Sequence, residues 1–367
     1  CRHDDWVRAG YCSQCEQCFS EEVVCSVSEC SEPACTRFSF CALPHETAYA
    51  TLVYGSSNSS RAIRYACDAL LLGHAIKSLD PHRHRVAVVD PSVPPVIRHL
   101  LTDQGLWSLY ETKELLDPPG RKIPLWRLPY RRVLFMDSDV FLIQGRREDG
   151  KQAARSDRLQ RLWRSPGQLV GTNDGAGGNY GHRCVNGGIL LLEPNKSVAD
   201  LMIPLADMQR RREAKGHDTT TMIDPGHYSH GHPFARCPFG HDQPVLNAVI
   251  GHHWKDFLEQ VLNTSERELV SVGPFMRETC DNSSKSAARP FYWNHTFYHA
   301  WLHTTPLGSG QKCSREALAT SGCELPSIED GHCKEVHNEY ARDWWRTFER
   351  TLTRTQQNEC LVHAYAE

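Results

Sequence analysis

No run of about 18 apolar residues occurs in the 367-residue chain, so no stretch of it is long and apolar enough to cross a membrane as a helix. Nor is there an excess of charge of one sign. Lys plus Arg number 41 and Asp plus Glu 44, a formal balance of −3. A nucleic-acid binder normally carries a marked basic surplus, so that class is set aside. The Arg210-Arg211-Arg212 run reads as a solvated helix face rather than a phosphate patch. No internal repeat is visible. The chain opens on Cys1 rather than Met, and removal of an N-terminal signal or anchor is the expectation at that end.

Cysteine, by contrast, is abundant. Sixteen occur, eight of them within the first 41 residues: Cys1, Cys12, Cys15, Cys18, Cys25, Cys30, Cys35 and Cys41. A dense, even cluster with little apolar content between its members reads as a disulfide-stapled module, residues 1–45. Zinc is the competing reading, because Cys12-x-x-Cys15-x-x-Cys18 has ligand-like spacing. Five Asn-x-Ser/Thr sequons, at Asn58, Asn195, Asn263, Asn282 and Asn294, are acceptors only when exposed in a secretory lumen. Cysteines and sequons together favour an oxidising lumen and, within it, disulfides over zinc.

From Tyr49 the texture changes. Ala50 to Tyr54 is a short β-type run and Gly55 to Ser60 a loop. Ile63 to Lys77 carries apolar residues at helical spacing. Arg85 to Asp90 reads as a second strand and Val96 to Gln104 as a second helix. Strand, helix, strand, helix is the grammar of a parallel sheet with crossover helices. A polar helix over 151–164, strands over 168–172 and 188–192, and a helix-compatible run at 246–250 continue the chain. Pro306 to Gly310 is a plausible domain boundary. Beyond it lie four cysteines and a helix through Asp343-Trp-Trp-Arg-Thr-Phe.

One stretch carries chemistry on its face. Residues 132–143 read Arg-Val-Leu-Phe-Met-Asp-Ser-Asp-Val-Phe-Leu-Ile, an apolar strand pattern broken by Asp137 and Asp139. An unpaired buried carboxylate is costly, so two acids in such a run call for a cation. If the chain stays extended, residues two apart share a side and both acids can hold one hard divalent metal. The plainer reading ends the strand at Met136, with a turn and two solvated acids. In open parallel sheets ligands bind outside the carboxyl ends of strands, where Tyr54 to Asn58, Asp90 and Asp137 to Asp139 all fall.

The ordered set of motifs resembles the glycogenin-like retaining glycosyltransferases of family 8. The segments are Ala48-Tyr-Ala-Thr-Leu-Val-Tyr, Tyr65-Ala-Cys-Asp-Ala-Leu-Leu-Leu-Gly73, Lys122 through Asp139, Cys184-Val-Asn-Gly-Gly-Ile-Leu-Leu-Leu-Glu-Pro, Gly240-His-Asp-Gln-Pro-Val-Leu-Asn247 and Tyr298-His299. The likeness covers residues 46–310. It implies an α/β GT-A nucleotide-diphospho-sugar transferase fold, a mixed, mainly parallel sheet flanked by helices. The disulfide-rich module at 1–45 would precede it, and a Cys-containing extension at 311–367 would pack on it.

The resemblance also implies a UDP-sugar donor and a divalent cation, commonly Mn2+, held by Asp137, Asp139 and His299. It places nucleotide and sugar against Leu52, Tyr54, Tyr65, Asp137, Ser138, Asn186, Gly187 and Gly188. It gives catalytic positions to Asp242, Gln243 and Lys122. Plainer readings stand beside these. The two acids could cap a turn, Asp242 could be a helix N-cap, His299 a hydrogen-bonded histidine, Lys122 a solvated lysine, and Tyr65 a packing residue. His227, His230, His232, Cys237 and His241 tempt a zinc assignment, but a solvated His-rich loop is preferred.

This chain departs from the family's pattern in places. Thr305 stands where the pyrophosphate lysine is expected and Leu302 where a glycine is expected, with Lys312 or Arg289 as substitute cations. His303 is an alternative ligand if the register slips, and His241 replaces the first acid of Asp-Asp-Gln. The expectation is an enzyme moving a sugar from UDP to a hydroxyl of a glycan or glycoprotein, with retention, in the secretory lumen, in the Golgi or secreted. The alternative is a degenerate domain kept as a carbohydrate- or protein-binding module.

Overall fold

The structure, a computed structural model, describes residues 46–54, 60–112, 120–142, 159–160, 162–164, 168–173, 185–215, 245–246, 249, 270–271, 277–279, 291–293, 297–299, 305–307, 309–323 and 331–364. The Cys-rich head at 1–45 lies outside them, as do all sequons except Asn195.

Seven strands form the main sheet. They are β1 (Thr47–Val53), β2 (His84–Val89), β3 (Ser108–Glu111), β4 (Arg132–Met136), β6 (Leu169–Asn173), β7 (Val185–Leu192) and β8 (Val270–Ser271), in the order β3-β2-β1-β4-β7-β6-β8. β1 is flanked by parallel partners β2 and β4, and β2 pairs in parallel with β3. β7 runs antiparallel to both β4 and β6, and β6 pairs in parallel with β8. The sheet is thus mixed and mainly parallel. A second, antiparallel sheet has the order β5-β11-β10-β9, from β5 (Val140–Leu142), β9 (Arg277–Thr279), β10 (Phe291–Trp293) and β11 (Phe297–His299).

Side-chain alternation explains why both faces of the main sheet are covered. Along β1, Ala48, Ala50 and Leu52 enter one apolar cluster, while Tyr49 and Val53 enter the other. Val133 and Phe135 against Leu134 and Met136 repeat this on β4, and Leu190 and Leu192 against Ile189 and Leu191 on β7. Successive side chains point to opposite faces, so an unbroken apolar run can only serve a sheet buried on both. β1 begins at Thr47, three residues before the run predicted from Ala50. Pairing with β2 and β4 draws Thr47 to Tyr49 into the ladder.

One face is packed by α1 (Ser60–Leu79), α2 (Pro95–Thr102) and the C-terminal α5 (Gly331–Thr351) and α6 (Arg354–Ala364). The other is packed by α3 (Lys196–Ala214) and the short helical turn Ile123–Arg127. In α5 the buried residues Tyr340, Ala341, Trp344, Phe348 recur at helical spacing. They join Ala66, Leu70 and Ile76 of α1 in one cluster. A disulfide between Cys67 and Cys360 joins α1 to α6 across a sequence separation of 293. The short α4 (Arg315–Thr320) is capped by Ser314, whose hydroxyl accepts from the Ala317 N–H at 3.2 Å.

The segment read as a boundary near Pro306 is interior: Thr305 and Leu307 are fully buried. Of the helix expected over 151–164, residues 159–160 and 162–163 are helical, and the one expected over 246–250 lies mostly outside the described residues.

Candidate active site

The Asp137-Ser138-Asp139 segment lies where β4 leaves the main sheet and β5 starts the second one. It is not extended. The Val140 N–H donates to the Asp137 carbonyl at 3.0 Å, closing a turn, and the Asp137 N–H donates to the Gly188 carbonyl at 2.8 Å. The single-sided arrangement predicted from an extended chain is therefore corrected, because the chain must change sheets within three residues. The acids instead sit in different surroundings.

Asp137 faces the α3 side. Its Oδ2 lies 3.4 Å from Nζ of Lys122, whose ammonium also donates to the Gly187 carbonyl at 2.8 Å. Lys122 is only 6% exposed. The solvated-lysine reading fails here, since a buried ammonium requires partners of this kind. The Phe135 ring, 5.3 Å from Nζ, walls the charge from below. Gly187 is small for a reason: a Cβ there would stand 2.6 Å from Nζ. Lys122, Asp137, Gly187 and Gly188, four positions spread over 67 residues of sequence, are thus joined into one cluster.

Asp139 faces the α1 side, near Asp68 and Tyr340. Burial, and next the charge of Asp139, raise the Asp68 carboxyl well above its ordinary range. The Trp344 indole N–H, which donates to Asp68 Oδ1 at 3.0 Å, works the other way, as does Thr305. Asp68 Oδ2 is buried and has no hydrogen-bond partner among the described residues. Burial, then the charges of Asp68 and Asp139, also push the Tyr340 phenol up.

A third group closes the carboxyl end of β1. Tyr54 donates to the Tyr65 hydroxyl at 2.8 Å, with ring centroids 4.7 Å apart. Arg121 donates to Tyr54 Oη at 2.9 Å and lies 3.9 Å over its ring. Burial, and then the neighbouring Tyr65, push the Tyr54 phenol up. Leu52, one turn of the pleat earlier, is packed into the core.

Ser138 is buried, with an Oγ that has no hydrogen-bond partner among the described residues. Asp137, Ser138 and Asp139 carry hard oxygen donors of the kind a divalent cation takes, with the two carboxylates facing opposite sides of the turn. His299 approaches through backbone pairing alone: in the β5–β11 ladder it stands opposite Val140, the residue after Asp139. Asn186 is placed on β7 by its backbone. Asp242 and Gln243, and the His-rich stretch from His227 to His241, lie outside the described residues.

Arg121 and Asp68 were missed by sequence reasoning. Arg121 had a weak signal, being next to Lys122. Asp68 had one too, an acid inside the apolar helix pattern where the resembling family has a glycine.

No family model matches the chain, and no curated protein matches it. Among solved structures it is similar to the galactosyltransferase LgtC in complex with donor and acceptor sugar analogs, with 14% identity over 55% of this chain and 70% of that one and a TM-score of 0.36. It is similar to an active-site mutant of LgtC, with 13% identity over 55% and 69% and a TM-score of 0.35. The glycosyltransferase GlyE of Streptococcus pneumoniae TIGR4 shares 17% identity over 62% and 54%, with a TM-score of 0.32.

Proposed function

We propose that the chain is a metal-dependent glycosyltransferase, moving a sugar from a UDP-sugar to a hydroxyl of a glycan or glycoprotein with retention of configuration. One observation carries this reading: an Asp-Ser-Asp turn at a strand's carboxyl end, beside a buried lysine clamped to a glycine carbonyl. Asp137, Asp139 and His299 are the residues assigned to a divalent cation, commonly Mn2+. When bound, that cation would supply neutralisation of the charge that develops on the diphosphate as it leaves.

The chain's own groups do the rest. Lys122 holds Asp137 in place and sets positive potential at the Gly187 edge. Tyr54, Tyr65 and Arg121 offer stacking faces and a cation at the end of β1, suited to a nucleotide base and its phosphates. Gly187 lets a sugar approach the backbone of β7. We assign Asp242 and Gln243 to the reacting face, and the acceptor proton passes to the departing phosphate oxygen on the same side of the sugar. Disulfides and sequons support a secretory lumen, Golgi or extracellular, as the place of action.

The test is UDP binding by titration calorimetry, with and without Mn2+. Asp139→Asn is expected to lose Mn2+-dependent affinity by at least about tenfold, 1.4 kcal/mol, with its melting temperature unchanged within about 2 °C. Equal affinity in the variant removes the site.

A second reading, a degenerate domain that binds without catalysis, is favoured by one observation. Thr305, standing where the family resemblance expects a phosphate-binding lysine, is buried beside Asp68. Release of UDP from any common UDP-sugar, with Mn2+ present, excludes this second reading.

A further inference from the structure

Away from that site, three ligand-type atoms converge in the C-terminal extension. Sγ of Cys313, Sγ of Cys323 and a ring nitrogen of His337 all lie within 4.8 Å of one another, and all three residues are buried. Cys313 and Cys323 are joined as a disulfide, and Cys313 Sγ is 3.6 Å from His337 Nε2. Two elements bring the sulfurs in. The helical turn Gly310–Cys313 ends at one, and the chain leaving α4 arrives at the other. The imidazole comes from α5.

Neighbouring groups lock each of the three. The Trp345 indole N–H donates to the Cys313 carbonyl at 3.0 Å. The Cys323 N–H donates to the Asn338 side chain at 2.7 Å. The Tyr340 ring lies 5.3 Å from the His337 ring.

A structural disulfide needs no imidazole against its sulfur, and a core histidine needs no pair of cysteines. We propose that this node is a redox-gated zinc site, in which Cys313, Cys323 and His337 bind Zn2+ once the Cys313–Cys323 bond is reduced. The chemistry balances with a dithiol as reductant. The dithiol gives two electrons and two protons to the Cys313–Cys323 bond and itself becomes a disulfide. Zn2+ then displaces the two thiol protons and takes two thiolates and the neutral imidazole. The site is thiolate-rich, unlike the oxygen donors at Asp137 to Asp139, so the two select different metals.

The experiment uses the full chain, reduced and then titrated with Zn2+, with Co2+ as a spectroscopic probe. Thiolate-to-cobalt charge transfer reports sulfur ligation and is blind to the carboxylate site. Because other cysteines are present, the comparison is between the parent chain and His337→Asn, which leaves both sulfurs in place. The parent is expected to bind one Zn2+ more than His337→Asn, with a stronger charge-transfer band. Zn2+ is expected to shield Cys313 and Cys323 of the reduced parent from alkylation, mapped by mass spectrometry. Circular dichroism checks that the variant is folded. If it is not, alkylation mapping of the parent alone decides. Equal stoichiometry and band intensity in the two proteins, or no shielding of Cys313 and Cys323 by Zn2+, overturns the proposal.

Discussion

At the residue scale the site is a matter of small distances. Gly187→Ala places a methyl where Lys122 Nζ now sits, 2.6 Å from the ideal Cβ. The flexible lysine end must move, giving up its bond to the Gly187 carbonyl and its contact with Asp137. Under the proposed function, transfer is expected to fall by at least about tenfold, 1.4 kcal/mol in the barrier, with little change in melting temperature. Steady-state assay and thermal melting check the two halves. Asp68 is the second residue-scale case. Its folded carboxyl titrates well above 3.8 because of burial and Asp139. The native state therefore holds a proton that the unfolded chain has released, and stability from this group is present below pH 3.8 and lost as pH rises through the raised value. Asp68→Asn keeps an acceptor for the Trp344 indole but cannot ionise. In EDTA, urea melts across acid to neutral pH are expected to show the parent losing stability over that interval, while the variant is flatter and ends more stable. Parallel curves contradict the assignment. Asp137 and Asp139 stood out because two acids interrupt an apolar run, whereas Lys122 was singled out only through the family resemblance. Asp68 and Thr305 were not, since their meaning is the burial that α1 and the 305–307 segment create together.

Elements decide how those residues are aimed. The alternation in β4 dictated which side chains face which layer, and reading it as a buried strand was right up to Met136. The strand's end was not readable, because the turn at 137–140 exists to hand the chain from one sheet to another, and the partner of β5 is β11, more than 150 residues later. The C-terminal helices are the other element-scale feature. Cys67 and Cys360 join α1 to α6, and a cross-link closing so long a loop restricts the unfolded chain strongly. Replacing both cysteines by serine is expected to lower stability by about 2–5 kcal/mol. Denaturant melts of the double variant and parent, both without reductant, measure it. An equal midpoint would mean that packing of α5 and α6 alone holds the end of the chain.

For the whole molecule, the extension from 311 onward is part of one core rather than an appendage. Trp344, Phe348 and Cys360 share a cluster with Tyr49 of β1 and Leu70 of α1. A chain truncated after Gly310 would expose that face of α1, a contiguous apolar patch of the kind that aggregates. It is expected to be insoluble or to lack a cooperative unfolding transition, read by solubility on expression and by calorimetry. A soluble, cooperatively folding truncation would make the extension a separate domain after all.

The periodicity of apolar residues was enough to determine the alternation of strands and helices, the two-faced sheet and the residues bearing charge at strand ends, because these follow from local geometry with a fixed repeat. Only the tertiary structure decided that Asp137 and Asp139 look into different surroundings, that Lys122 is clamped between Asp137 and Gly187, and that a tryptophan 276 residues away donates to Asp68. Those contacts are set by how distant elements cross, and no local pattern encodes a crossing.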